Sequence, residues 1–418
     1  MESYLLDWAN LLLRWVHVIT AIAWIGSSFY FVFLDNNLLP PKDPDLKDKG
    51  VDGEMWAVHG GGFYNPQKYM TAPPKPPSST LHWFYWESYS TWLSGMALFT
   101  ALYVWNASTY LIDKSLMSWS PGAAIGVALS FMVVFWMVYD LICQAFGFRK
   151  HGELIVALLL VLVVGFASWL ACQWFAGRAA FLIVGAMIAT AMSANVFFWI
   201  IPGQKKVVAA MQAAHAGGAP FDAAALSIHG KRGKQRSVHN TYFTLPVLFA
   251  MLSNHYSFLY TGPHNWLVLL AMMLAGALIR QFFVQRHGWH HGRARNPLPW
   301  ALVGVALLAA VVWMMQPDAT KNIAANADNT LATGQNGLNP ELQAVQAVIN
   351  QRCVMCHNAQ VQMKNVRLDS TRAIEAQAQA IYQQVVVQRL MPMNNSTGIT
   401  EAERTLIGRW FQGAAKSP

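Results

Sequence analysis

Charge is scarce in this chain. Only 12% of its 418 residues are Asp, Glu, Lys or Arg, about half the share found in soluble domains. With 55% of residues hydrophobic, the composition is that of a membrane protein. Acidic residues are scarcer still, 20 against 29 basic ones, which leaves a formal net charge of +9. No Lys/Arg run alternates with aromatic residues, so the basic excess is not a nucleic-acid groove and no nucleic-acid partner is expected. No G-x-G-x-x-G occurs, which removes the sequence case for a Rossmann flavin or nicotinamide site. His59-Gly60-Gly61-Gly62 looks like an esterase oxyanion loop, but no G-x-S-x-G accompanies it and a catalytic serine is excluded. The glycines there let a loop backbone approach something closely. The N-terminus carries Glu2 and Asp7 in place of a basic signal-peptide region, so the first apolar run is expected to stay as a span. There are four cysteines. Cys143 and Cys172 end successive apolar runs, on faces separated by about 30 Å of hydrocarbon, and cannot pair with each other. No internal repeat of 20–50 residues is present.

What is present in quantity is apolar sequence of membrane-crossing length. The runs fall near 8–34, 81–106, 120–142, 153–172, 179–201, 239–260, 265–284 and 298–316. The expected architecture is all-α: a polytopic bundle of about eight transmembrane helices over 1–316, a linker over 317–340 and a small helical domain over 341–418. Pro121, Pro202, Pro263 and Pro299 punctuate the ends of runs. Loop charges set an orientation. With the N-terminus outside, inner loops hold about 16 Lys and Arg, from Lys42 through Lys75 to Arg295, and the outer loops hold Lys114 and Arg178. The C-terminal domain is then outside as well, which in a bacterium is the periplasm.

That outer domain contains Cys353, Cys356 and His357 in the run CVMCH. Two thiols at this spacing, followed by His, are the signature of c-type haem attachment, with the His as proximal iron ligand. Bacterial c-type haem is attached on the outer side, so motif and loop charges agree by independent routes. The competing reading is a redox or zinc C-x-x-C that precedes a His by accident. A second axial ligand is expected from Met391 or Met393, with Met391 preferred because Pro392 stiffens the loop after it. Thr400 and Glu403 form a capping box that opens a last helix through Trp410.

Polar residues inside the runs are costly and therefore functional suspects, or else interhelical hydrogen-bond partners. An outer layer holds Arg14, His17, Asn254 and His255. His17 and His255 are a candidate ligand pair for a second haem, of b type, or a pair of satisfied core histidines. An inner layer holds His82, Glu87, Asp140, Gln144, Asn195, His239, Asn240, Arg280 and Gln281. So many polar groups at one depth point to a water-accessible cavity. His287, His290 and His291 lie in an Arg-rich loop without thiolates or carboxylates and read as a solvated basic segment.

The segments RWVHVITAIAWIGSSFYF (14–31), VHGGGFY (58–64), LHWFYWESYSTWLSG (81–95) and RSVHNTYFTLPVLFAMLSNHY (236–256), followed by CVMCH, resemble the bacterial membrane-bound urate oxidases (urate hydroxylases) with a C-terminal cytochrome c domain. The resemblance spans the whole chain. It implies oxidation of urate to 5-hydroxyisourate, with electrons leaving through haem c instead of forming hydrogen peroxide. A downstream acceptor such as a terminal oxidase or a soluble cytochrome follows from it. For a planar purine anion, Arg280 is the expected cation, Asn195, Asn240 and Gln281 the expected readers of the ring edge, and Glu87, His82 or His239 the expected base. A quinol:cytochrome c oxidoreductase, or a membrane-tethered carrier serving another dehydrogenase, would share the haem motif. The carrier needs only one span, which counts against it.

Overall fold

The computed structural model describes residues 2–69, 80–113, 116–218, 220–260, 262–316, 340–359, 361–363, 366–387 and 389–414. Lys75, Lys114 and all but the last residue of the expected linker lie outside these. The chain divides into two compact units, Met1–Asn254 with His264–Val311, and His255–Pro263 with Val312–Pro418.

In the first unit, α1 (Glu2–Asn37) is followed by the short α2 (Pro44–Asp48) and two small antiparallel pairs, β1 (Gly53–Glu54) with β4 (Gln67–Lys68), and β2 (Ala57–His59) with β3 (Gly62–Tyr64). Gly60 and Gly61 both have positive φ, so the expected glycine loop is the turn of the β2–β3 hairpin. Next come α3 (Trp86–Phe99), α4 (Ala107–Tyr110), α5 (Pro121–Phe146), α6 (Gly152–Trp174), α7 (Gly177–Ala194), α8 (Ile201–His215), α9 (Ala223–Leu252), α10 (Asn265–His290) and α11 (Leu298–Met314).

Each of the eight apolar runs falls on a helix, but several ends differ from expectation. Five segments are long and apolar enough to cross a membrane: Trp8–Asn37, Pro121–Phe146, Gly152–Trp174, Gly177–His215 and Asn265–His290. Leu298–Met314 is apolar but shorter. The run at 81–106 starts its helix only at Trp86 and finishes in a π-helical turn, Thr100–Val104. The run at 239–260 is the second half of α9, whose first half is charged, and its helix gives way at Leu252 to a 3-10 turn, Ser253–His255. Pro202 does not end a helix. A π-helical turn, Asn195–Ile200, joins α7 to α8 through it, where the looser register accommodates a ring that lacks an N–H and crowds the preceding turn.

α7 is the centre of the unit. Ala179, Ala180, Phe181, Ile183, Val184, Met187 and Ala191 are fully buried against α5, α6 and α9. Gly185 permits this: a Cβ there would lie 2.8 Å from the Ala250 side chain on α9. α6 shows the opposite surface. Leu154, Leu158, Leu162 and Phe166, each about a turn apart, are all 59–68% exposed. In water such an apolar stripe is a liability, whereas hydrocarbon accommodates it.

The second unit contains α12 (Pro340–Arg352), α13 (Thr371–Ala376), α14 (Ala378–Ile381), a π-helical turn Tyr382–Val387, and α15 (Glu401–Ala414). α12 packs on α15. Val345, Ile349, Ile374 and Ile407 are fully buried in its core, and Met391 packs against that core. The capping box is formed as expected: Glu403 N–H donates to Thr400 Oγ1 at 3.2 Å and Thr400 N–H to Glu403 Oε2 at 2.6 Å.

Candidate functional site

The expected inner layer separates into two places, and α9 divides them. One face of α9 presents His239 and Asn240 toward α5, α6 and α7. Tyr139 Oη lies 3.0 Å from His239 Nδ1, and His239 Nε2 lies 3.1 Å from Glu153 Oε2. Asn195 Nδ2 donates to Tyr139 Oη and to Asn240 Oδ1, at 2.9 Å each. Asn240 Nδ2 donates to the Met192 carbonyl at 3.0 Å. One turn toward the N-terminus of α9, Arg236 donates to Asp140 Oδ1 at 2.6 Å and lies over the Tyr139 ring. Asp140 also accepts from Trp199 Nε1 at 2.8 Å and from Gln144 Nε2 at 2.6 Å. Gln235 ties Glu153 to the Gly147 carbonyl. Tyr139 and Asn195 are fully buried, so this is a closed hub that joins four helices. The Glu153 side chain reaches out, at 63% exposed, and Gln144 is exposed as well.

The other face of α9, about 200° around the helix at Thr241, looks toward α1 and α10. Ser28 on α1 lies near Thr241, and Tyr242 Oη donates to Gln281 Oε1 on α10. Arg280 belongs here. It is 7% exposed, its guanidinium carbon lies 3.6 Å from the centre of the Phe29 ring, and its Nε has no partner. It lines a cavity of ≈350 Å³ between the last turns of α1 and α10, in the size range of small-molecule sites. His287, set aside by sequence reasoning as part of a solvated loop, lines the same cavity.

Thus the structure brings His239, Asn195 and Asn240 together but does not place Arg280 among them. His82 precedes α3, is exposed and packs edge-on against Phe84. Glu87 sits in the first turn of α3, where a carboxylate suits the helix dipole, and its carbonyl accepts from Thr91 Oγ1 at 2.6 Å. His17 on α1 is held against α3. Its Nδ1 lies 3.1 Å from the Thr91 carbonyl and from Ser94 Oγ, and a Cβ at Gly95 would come within 3.0 Å of the ring. His255 is exposed in the 3-10 turn after α9 and groups with the second unit. Tyr139, Glu153 and Arg286 escaped the candidate set. Arg236 was read only as a loop charge, although its i,i+3 spacing to His239 puts both on one face.

In the second unit, Cys353 and Cys356 are free thiols on a tight turn after α12, where the Cys356 and His357 N–H groups both donate to the Cys353 carbonyl at 3.1 Å. Burial, with lesser contributions from Cys356 and Glu403, pushes the Cys353 thiol up to about 11, and burial also raises Cys356. Burial lowers the pKa of His357. His357 Nδ1 lies 3.1 Å from the Val366 carbonyl. A carbonyl only accepts, so the ring proton is on Nδ1 and Nε2 keeps its lone pair. That is the tautomer and orientation a metal-binding imidazole requires. Arg404 Nη1 donates to the Met391 carbonyl at 3.0 Å and also to that of Val385, fixing the loop that carries the thioether. These residues fit a covalent haem. No group of three or more His, Cys, Asp or Glu able to hold a bare metal ion occurs among the described residues.

The first unit thus combines an apolar outer stripe on α6, a polar hub joining four helices and a cleft lined by Arg280 and Arg286. Residues 3–316 match the urate oxidase N-terminal family, and the chain belongs to that family. It is therefore a urate oxidase-related oxidoreductase. No curated protein and no solved structure matches the chain. Residues 317–418, which hold CVMCH, lie outside the family match.

Proposed function

We propose that the chain is a multi-pass protein of the bacterial inner membrane that oxidises urate to 5-hydroxyisourate and delivers the electrons to a covalently bound haem c. In this reading about eight helices span the bilayer, the N-terminus and the C-terminal unit are periplasmic, and a terminal oxidase or soluble cytochrome takes the electrons onward. The reaction balances as urate plus water giving 5-hydroxyisourate, two electrons and two protons. The observation that carries the reading is the union, in one chain, of a urate oxidase N-terminal region with a C-x-x-C-H whose His357 ring is already held through Nδ1.

Cys353 and Cys356 would anchor the haem, with His357 and Met391 as its axial ligands. Bound there, the haem supplies a one-electron acceptor. The protein's own residues do the rest: His357 is held in one tautomer by Val366, and Arg404 positions the Met391 loop. Among the expected site residues, Arg280 retains the role of anion partner. Glu87, His82, His239, Asn195 and Asn240 remain candidates for proton handling and positioning. His17 and His255 remain candidates for a second haem, of b type: the Thr91 carbonyl holds the His17 ring through Nδ1, as Val366 holds that of His357.

The test is to add urate anaerobically to membranes containing the protein and follow the haem spectrum and urate together. Haem reduction with loss of urate, and no stoichiometric peroxide once air is admitted, is expected. Reduction by a quinol but not by urate would defeat the proposal and favour a quinol:cytochrome c oxidoreductase.

A further inference from the structure

The Arg280 cavity has features that sequence reasoning did not connect. Two of its lining residues, Arg280 and Arg286, are guanidinium cations, and no Asp or Glu is among them. Arg280 is buried with an unpartnered Nε, a state that is costly unless something compensates the charge. Phe29 compensates part of it by offering its ring face. An anion would compensate the rest.

The walls decide which anion. Phe29, Phe33 and Phe283 line the cavity together with aliphatic side chains. Apolar, ring-lined walls suit a flat heteroaromatic anion and are a poor match for a strongly hydrated, tetrahedral one such as phosphate.

The polar rim is also specific. Arg286 Nε–H donates to His287 Nε2 at 3.2 Å. A guanidinium has no lone pair to offer, so Nε2 is the acceptor and the imidazole proton is on Nδ1. His287 is thus held neutral as an N–H donor, with its ring edge-on to Phe33 at 5.3 Å. Asn36 spends its Nδ2 on the Val284 carbonyl at 2.9 Å, which leaves Oδ1 as an acceptor on the cavity wall. Two cations, one neutral donor and one acceptor around an apolar slot complement a planar ring with carbonyl oxygens and N–H groups on its edge.

We infer that this cavity is the binding site for a planar heteroaromatic anion, held between Arg280 and the Arg286–His287 pair. Given the proposed function, on which this inference rests, that anion is urate. Arg286, His287 and Asn36 are then specificity-determining residues. The hub around His239 lies on another side of α9, and none of its residues lines the cavity.

The experiment uses full-length protein in detergent, with its haem reduced beforehand by dithionite so that bound urate has nowhere to send electrons. Equilibrium dialysis with radiolabelled urate then reads binding without turnover. Arg280→Gln and Arg286→Gln should each weaken binding at least tenfold, and His287→Phe several-fold. All three should leave covalent haem and elution as a single monodisperse species unchanged. Val32→Trp fills the cavity without touching its charges and should also weaken binding. Excess hypoxanthine, a neutral purine, and inorganic phosphate should fail to displace urate. If wild-type protein consumes urate while these variants bind it normally, the cavity assignment is overturned and the proposed function survives. If wild-type protein neither consumes nor binds urate, both fall. Displacement by phosphate at concentrations similar to urate would overturn the planar-anion selectivity.

Discussion

The two faces of α9 handle buried charge in opposite ways. On one, Arg236 is paired with Asp140, and Tyr139, Asn195, His239 and Asn240 hold one another in a chain that ends at Glu153. On the other, Arg280 is almost as deeply buried, yet it has an aromatic ring and a cavity where Arg236 has a carboxylate. A cation paired with a carboxylate makes structure even where single atoms beside it, Arg236 Nη1 and Asn195 Oδ1, have no partner. An unpaired cation facing space has its interaction free energy still to be realised, and a ligand can realise it. In the proposed reading the second face recognises the anion, while the first ties helices together and carries the candidates for proton handling, and each assignment can be broken separately.

The largest expected effect separates the two arginines by stability. Arg236→Met leaves Asp140 mostly buried without its cation and should cost about 3–5 kcal/mol. Arg280→Met removes a desolvated charge that has no counter-ion, and should change stability by less than about 1 kcal/mol or raise it. Thermal unfolding of the two purified variants in the same detergent provides the comparison. Equal losses would mean that Arg280 is as structural as Arg236.

Sequence reasoning saw some of this and missed the rest for physical reasons. The helices were legible because apolar runs of membrane length have few alternatives, and the Thr400–Glu403 box because capping is local. CVMCH was legible as a fixed spacing. The hub was not, because Tyr139, Glu153, Asn195 and His239 come from four helices and no spacing links them. The apparent single inner layer was an error of projection: depth along the chain was read, but rotation around α9 was not. At 100° per residue, His239 and Thr241 face nearly opposite ways, which the spacing alone shows. His287 was dismissed because its neighbours are arginines. The contact with Arg286 that sets its tautomer is one that composition does not display. Pro202 misled as a stop signal because the π-helical turn before it accommodates the ring.

A smaller effect distinguishes two tyrosines. Tyr139→Phe keeps the ring but strips a hydrogen-bond partner from both Asn195 and His239 inside a closed hub, and should cost about 1–3 kcal/mol. Tyr242→Phe, on the flank of α9 that meets α10, loses one bond to Gln281 from a half-buried position and should cost roughly 0.5–1.5 kcal/mol. Denaturation midpoints of the two variants rank them. A larger loss at Tyr242 would undo the claim that the hub is more tightly built than the α9–α10 contact.

The smallest expected effect extends the comparison to a half-buried arginine of the second unit. Arg352 donates through Nε and Nη2 to Glu403 Oε1, both at 3.1 Å, while Glu403 Oε2 caps the Thr400 N–H. The cap, the Arg352 guanidinium and the Thr400 hydroxyl together hold the Glu403 carboxyl below its usual range. Because the folded value is the lower one, the stabilisation is complete above the ordinary carboxylate range near pH 4.3, and it is lost as pH falls through that range toward the folded value. Glu403→Gln should therefore reduce amide-exchange protection of α15 in the full-length protein at pH 7, by an amount equivalent to about 1 kcal/mol or less, since water screens this pair. The deficit should shrink when wild type and variant are compared at successively lower pH below about 4.3, because protonation removes the same charge from the wild type. A deficit that stays constant across that range would assign the effect to packing and take the carboxylate's charge out of the account.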